Sequence, residues 1–304
     1  MDTDPGKDDA VAMLLALASP DELEVLSLVA VAGNVPLART WGNARRLVEL
    51  AGRPDVPVYG GCSRPMVRLP ITAEHVQGGT GLHGLDLPEP RVPPRPEHGV
   101  DHMVDTLRAS APGEVTLCLL GPATNLAVAL VRAPDIAGRI REVVWMAGAR
   151  SEGGNVTPAA EYNVHADPEA AQVLLTSGIP LVMLPLDLTH QVRLDAGRLA
   201  RLQAIGTAAA RAVAALFPPD TGPARERGGA PLHDPCVIAH LLRPGLFSGR
   251  RIHVAVETGS ALALGMTVAD VWGVTGRPAN ATWLDQADAD GFFALLCERL
   301  ARLP

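Results

Sequence analysis

The sequence predicts an α/β protein built on an open, mostly parallel (Rossmann-like) sheet. Helices should cover both faces, and a ligand site should lie at the carboxyl ends of the strands. Three observations support this class. Short continuous apolar runs alternate along the chain with segments of helical spacing, the pattern of strands buried on both faces and joined by crossover helices. Most of the runs stop at Gly, Pro or Asn, as in Val31-Ala32-Gly33-Asn34 and Leu120-Gly121-Pro122. Polar residues collect at those stops, where open α/β sheets bind ligands. No internal repeat, low-complexity tract or long linker divides the chain, so one domain over residues 1–304 is expected.

The elements follow in order. An extended start at Asp2 leads through Pro5-Gly6 into a helix over 10–18, apolar throughout. Residues 24–31 (EVLSLVAV) read as a buried strand. Residues 40–51 read as a helix, because Trp41, Ala44, Leu47, Val48 and Ala51 recur on one side. A short strand at 56–59 is closed by Gly60-Gly61. The stretch 75–87 is rich in Gly and has no period, so a loop is expected. A helix at 100–109 precedes a strand at 115–120 (VTLCLL), which runs into Gly121-Pro122 and a helix at 125–131. A strand at 142–146 (EVVWM), a helix at 168–177 and a strand at 181–186 follow. Residues 199–217 read as one helix, 218–231 as a polar loop rich in Pro and Gly, and 235–242 as a helix. Residues 251–256 begin a final strand region.

Composition excludes several function classes. Hydrophobic residues make up 47% of the chain and charged residues 19%, so the protein is globular. The formal net charge is -7 and no basic run occurs, which argues against a nucleic-acid partner or an acidic membrane surface. The four cysteines are far apart and form no CxxC pair, as expected of reduced thiols in a cytoplasmic protein. The N-terminus is acidic where a signal peptide needs a basic segment. No apolar stretch reaches the ~18 residues of a membrane helix.

The densest chemistry lies at the start. Asp2, Asp4, Asp8 and Asp9 fall within nine residues, around a Pro-Gly turn. Carboxylates ~4 Å apart repel by roughly 1 kcal/mol in water and by several-fold more when partly buried. A hard divalent cation removes that cost, taking several oxygen ligands. Helix capping accounts for one or two Asp residues, but poorly for four. A second polar stretch, Asn155 to Asn163, carries Asn155, Glu161 and Asn163 in a loop, a set suited to a polyol such as a sugar. A third, His233-Asp234-Pro235, also fits a helix cap.

These segments resemble the inosine-uridine preferring nucleoside hydrolases, a family of Ca²⁺-dependent nucleoside N-ribohydrolases. DTDPGKDDA matches the family's DxDPGxDDA signature, and VAGN, GPATNLA, GNVTPAAEYN, HDP and VETGSALALGMTVAD follow in family order. The resemblance implies hydrolysis of ribonucleosides to ribose and free base, with Ca²⁺ as the cofactor. Matching positions make Asp4, Asp9 and Asp234 its carboxylate ligands and the Leu120 carbonyl a further one. Asp8, Asn155, Glu161 and Asn163 would bind the ribose, Asn34 would lie near the reacting centre, and Met146 would wall the sugar pocket. His233 would stand beside the leaving base. A homodimer or homotetramer is implied as well. The chemistry agrees: an oxocarbenium-like sugar needs negative surroundings, an activated water with an adjacent Asp as base, here Asp4, and a proton donor such as His233 for the departing ring.

Three departures from the family pattern bear on function. Gln77 takes the place of a loop histidine, with His75 and His83 flanking it as candidates to substitute. Residues 218–232 contain no aromatic, where many members carry tyrosines. The motif starts at Asp2, so either the start has been placed late or the first strand is missing. Two other functions compete. A catalytically impaired nucleoside- or ribose-binding relative would keep the metal site. A haloacid-dehalogenase-type phosphatase needs a distant Lys, and Lys7, the only lysine, lies inside the motif.

Overall fold

The computed structural model describes residues 1–218 and 228–304. The apolar runs form β1 (Asp2–Thr3), β2 (Leu28–Ala30), β3 (Val58–Gly60), β4 (Val115–Leu119), β5 (Ile140–Met146) and β6 (Leu181–Leu184). Two two-residue strands follow, β7 (Arg193–Leu194) and β8 (Ala230–Pro231), then β9 (Phe247–Val256), β10 (Thr267–Asp270) and β11 (Ala281–Ala287). Nine of these make one sheet in the order β10-β9-β11-β6-β5-β4-β1-β2-β3. From β3 across to β11 every pairing is parallel; β9 and β10 run antiparallel at the edge beyond β11. The chain leaves β1 toward β2 and β3, then returns to β4 on β1's other side. That reversal is the topological switch point where such sheets form a crevice, and Asp4 and Leu120 follow its two strands.

Helices pack on both faces over two apolar cores. On one face lie α1 (Lys7–Leu17) and α2 (Leu37–Leu50); on the other lie α4 (Gly99–Ala109), α5 (Thr124–Arg132) and α7 (Pro168–Leu175). The one-turn α3 (Glu74–Gln77) and the short α6 (Tyr162–Ala166) sit in loops above the strand ends. Helix α1 is apolar all round and every residue from Asp9 to Leu17 is buried, because other helices surround it. Its neighbours include α10 (Ala208–Leu216), α11 (Pro235–Leu242) and α12 (Ala289–Leu300). This packing brings the His233-Asp234 pair, at the start of α11, against the acidic start of α1.

Several elements differ from the sequence reading, each for a physical reason. The strand expected over 24–31 shrinks to β2, because its partner β1 is two residues long and pairs only Val29 and Ala30. Below it the Met1 ammonium donates to the Ser27 carbonyl, and a cleft of about 680 Å³ lies between residues 22–27 and 114–118. The strand expected to Leu186 stops at Leu184, since Pro185 has no N–H for a ladder. Its neighbour Leu186 opens the one-turn α8 (Leu186–Thr189). The single helix expected over 199–217 is two, α9 (Ala196–Ile205) and α10, broken at Gly206 with φ +80° and restarted by Thr207, whose hydroxyl accepts the Ala210 N–H. The loop expected over 75–87 holds the last three residues of α3, stopped by Gly78 at φ +76°. Of the loop expected over 218–231, residues 219–227 lie outside the described residues, and Ala230–Pro231 pairs with β7.

Candidate active site

The turn between β1 and α1 builds the floor of the site. The Asp9 side chain reaches back over this turn: Oδ1 accepts from the Thr3 hydroxyl and the Asp4 N–H, and Oδ2 from the Gly6 N–H and Asn34 Nδ2. Asp4 is fully buried. Its Oδ2 accepts the Asn34 N–H at 2.7 Å, while Oδ1 has no partner among the described residues. Gly33 and Gly121 make room for that carboxylate; a Cβ at either would fall 2.1 Å and 2.4 Å from its oxygens. Asp234 is buried at the start of α11, and Asp8, half-buried, faces the pocket. Burial, with mutual repulsion, holds the carboxyls of Asp4, Asp9 and Asp234 above the usual carboxylate range, and burial does the same for Asp8.

Above this floor the loops after β3 and β5 and the start of α11 enclose a cavity of about 300 Å³. Its lining includes Asp8, Asn34, Leu120, Met146, Asn155, Glu161, Asn163, Gln77, His75, His233 and Asp234. Local hydrogen bonds decide which atom each amide offers. Asn163 Nδ2 donates to the Leu120 and Met146 carbonyls at 2.8 and 3.0 Å, which leaves Oδ1 for a ligand. Asn155 Oδ1 accepts the Tyr162 N–H, which leaves Nδ2. Asn34 Nδ2 is held by Asp4 and Asp9, which leaves Oδ1. Glu161 caps α6, accepting from the Asn163, Val164 and Gly148 N–H groups, and burial still pushes its carboxyl up to about 7.

His233 stands at the pocket wall with Nδ1 2.8 Å from the Thr189 hydroxyl. Burial, then His190 and Arg193, pull its imidazole down to about 3, so it is neutral at physiological pH. A Thr189 hydroxyl that donates to Nδ1 puts the hydrogen on Nε2; the neutral ring then offers a hydrogen bond there, in place of the acidic proton expected from the sequence. His75 lines the cavity, whereas His83 is exposed and absent from the lining. Its backbone N–H is tied to the Gln77 carbonyl, and its side chain packs against Gly78.

The chain is similar to known proteins along nearly its whole length. The family model for the inosine-uridine preferring nucleoside hydrolases matches residues 1–294. The chain belongs to this family. An uncharacterised Schizosaccharomyces pombe protein is 50% identical, over 100% of this chain and 99% of its own. The pyrimidine-specific ribonucleoside hydrolase RihA of Salmonella gallinarum is 45% identical, over 99% of this chain and 97% of its own. The solved purine-preferring ribonucleoside hydrolase of Gardnerella vaginalis superposes with a TM-score of 0.90 at 29% identity, covering 99% and 96% of the two chains.

The nucleoside hydrolase has an acidic cluster that could hold a metal ion. Asp8, Asp9 and Asp234 offer oxygens that all lie within 4.8 Å of one another. Two of the expected ligands, Asp9 and Asp234, are in this set together with Asp8; the third, Asp4, lies beside them between Gly33 and Gly121 and is close enough to raise the carboxyl of Asp234. The donors are all oxygen, and the buried orphan Asp4 Oδ1 lacks the positive partner that a carboxylate at this depth needs. Both facts fit a hard divalent cation. No helix among the described residues is long and apolar enough to cross a membrane.

Three contributors escaped the sequence reading. Tyr162 lines the cavity and its hydroxyl donates to the Ile71 carbonyl at 3.1 Å, tying the Asn155–Asn163 loop to the loop that carries Gln77. It is one of two tyrosines, and its place beside Glu161 was the available signal. Lys7 lines the cavity through the first turn of α1. Thr189 had no signal, since only the turn after β6 brings it to His233.

Proposed function

We propose that this enzyme hydrolyses the N-glycosidic bond of pyrimidine ribonucleosides, releasing ribose and free base, with Ca²⁺ as its cofactor. The observation that carries the reading is convergence. An acidic floor, a ring of oriented amides and a neutral histidine meet in one cavity at the switch point of the sheet. The preference for pyrimidines is supported by the 45% identity to RihA. The impaired-binder alternative finds no support among the relatives, two of which are named hydrolases.

The ion would be held by Asp8, Asp9 and Asp234, with the orphan Asp4 oxygen and the Leu120 carbonyl on the same floor. When bound, it supplies positive charge and Lewis acidity beneath the sugar. Asn163 Oδ1, Asn34 Oδ1 and Asp8 accept hydrogen bonds from ribose hydroxyls, and Asn155 Nδ2 donates one. Glu161 orients its loop and adds negative potential. These groups surround the sugar with carboxylates and amide oxygens, the field that an oxocarbenium-like transition state requires. Met146 walls the pocket and excludes water. Asp4 accepts the proton of the attacking water, because its Oδ1 has no hydrogen-bond partner among the described residues. His233 Nε2–H donates to the departing base. The whole chain acts as one catalytic domain, in the cytoplasm, as a homodimer or homotetramer.

The test is ribose release from uridine, inosine and 2′-deoxyuridine, with and without a chelator. Uridine should be cleaved, chelation should stop the reaction, and 2′-deoxyuridine should be slower by orders of magnitude, since a missing hydroxyl leaves buried polar groups unpaired. Chelator-resistant turnover, or equal rates on uridine and its 2′-deoxy analogue, would falsify this assignment.

A further inference from the structure

Gln77 is held in one orientation. Its Oε1 accepts the Lys7 backbone N–H at 3.0 Å, one of the donors that the first turn of α1 leaves without a helical partner. A backbone N–H must meet the carbonyl end of the amide, so this bond settles which way the group faces. The Lys7 ammonium closes a second link by donating to the Val76 carbonyl at 3.2 Å. Gly6 permits the approach; a Cβ there would stand 2.9 Å from Gln77 Cδ and 3.0 Å from Oε1. With the oxygen engaged, Nε2 remains. It donates to no protein atom among the described residues, and the side chain lines the cavity next to Asn34 and Asp8.

We infer that Gln77 is a specificity-determining residue whose Nε2–H donates to the nucleobase carbonyl beside the glycosidic nitrogen, the O2 of a pyrimidine. The inference rests on the nucleoside reading of the same cavity. Three features select this group. The amide packs on the β1–α1 turn, so it meets the part of the base closest to the sugar and not the pocket mouth. It presents a donor, so the partner must be an acceptor. It carries no charge and cannot give up a proton, so it stabilises negative charge gathering on a departing ring carbonyl without protonating it. In that role Gln77 complements His233, and its neutrality matters beside four Asp residues. A carboxylate here would add a fifth negative group at the start of α1.

Two variants and two substrates test this. Gln77→Glu keeps an oxygen for the Lys7 N–H and the side-chain shape, but replaces the donor by an acceptor. Gln77→Met removes both without adding charge. Each is measured as kcat/KM on uridine and on 4-nitrophenyl riboside, whose leaving group has no ring carbonyl next to the glycosidic bond. Both variants should lose at least about tenfold more on uridine than on the nitrophenyl riboside. Equal losses on the two substrates would mean that Gln77 only shapes the cavity, and would overturn the inference. So would a loss confined to Gln77→Glu, which would trace to added charge. A parent enzyme that cleaves neither substrate would instead refute the nucleoside hydrolase mechanism on which the inference rests.

Discussion

Gly121→Ala should disable the enzyme while leaving the fold intact. A Cβ at 121 would stand 2.4 Å from Asp4 Oδ1 and 2.8 Å from Asp4 Cγ, where ordinary contact begins at 3.4 Å. The carboxylate must therefore retreat by about 1 Å. Its retreat is opposed on the other side, where Oδ2 accepts the Asn34 N–H at 2.7 Å and the chain at Gly33 closes the space. Breaking that hydrogen bond costs about 1–3 kcal/mol at a buried site. Gly121 is not among the positive-φ glycines, so the substitution adds no backbone strain, and overpacking of about 1–3 kcal/mol is the remaining cost. A displacement of ~1 Å at the reacting centre lowers turnover by about 10²-fold. Ribose release from uridine measures the loss, and a thermal melt together with calcium titration separates a displaced base from an unfolded protein. Turnover within threefold of the parent, with an unchanged melt, would refute the role of Asp4 and the packing argument together.

Three further outcomes follow from the same geometry. Asp9→Ala should abolish both calcium binding and turnover, because Asp9 joins the convergent oxygens and also organises the turn through four hydrogen bonds; retained calcium affinity by calorimetry would contradict it. His233→Ala should slow uridine hydrolysis by roughly 10–10³-fold but nitrophenyl riboside hydrolysis much less, since only the first needs help for its leaving group; equal losses would assign His233 to binding. In chelator, stability should fall as pH rises. Burial raises the Glu161 carboxyl from its ordinary 4.5 to about 7, so the folded state holds this proton more tightly than the unfolded chain does. Its contribution, up to roughly 3 kcal/mol, is present below pH ~4.5 and is lost progressively up to pH ~7. Denaturation in chelator at pH 4.5, 6 and 8 measures this, and a flat or rising profile would show that the carboxyl titrates normally.

Much of the protein was legible in the chain because its signals are local. The strands β4, β5 and β6 are buried on both faces, so their apolar runs announce them without any partner. Asp4, Asp9, Leu120 and Asp234 follow strand ends or open helices, and Asn155, Glu161 and Asn163 share one short stretch; position marked these segments, and the family resemblance picked out the residues within them. The weaker elements fail where the signal is relational. The length of β2 depends on β1, a strand of two residues. Strand β10 lies at the sheet edge against β9, and β11 fills the gap between β6 and β9, so both depend on their partners. That Asp8 and Asp9 converge with Asp234 is decided by the packing of two helices whose starts lie more than two hundred residues apart.

The chain alone determined the chemistry available: which acids, amides and histidine are present, and that they fall at strand ends. Only the tertiary structure decided which atom of each group is free. The Lys7 N–H claims the oxygen of Gln77, the Leu120 and Met146 carbonyls claim the nitrogen of Asn163, and burial keeps His233 uncharged. Those contacts join residues far apart in sequence, some by more than forty positions, and a hydrogen bond or a desolvated charge exists only once folding has brought its partners within about 3 Å.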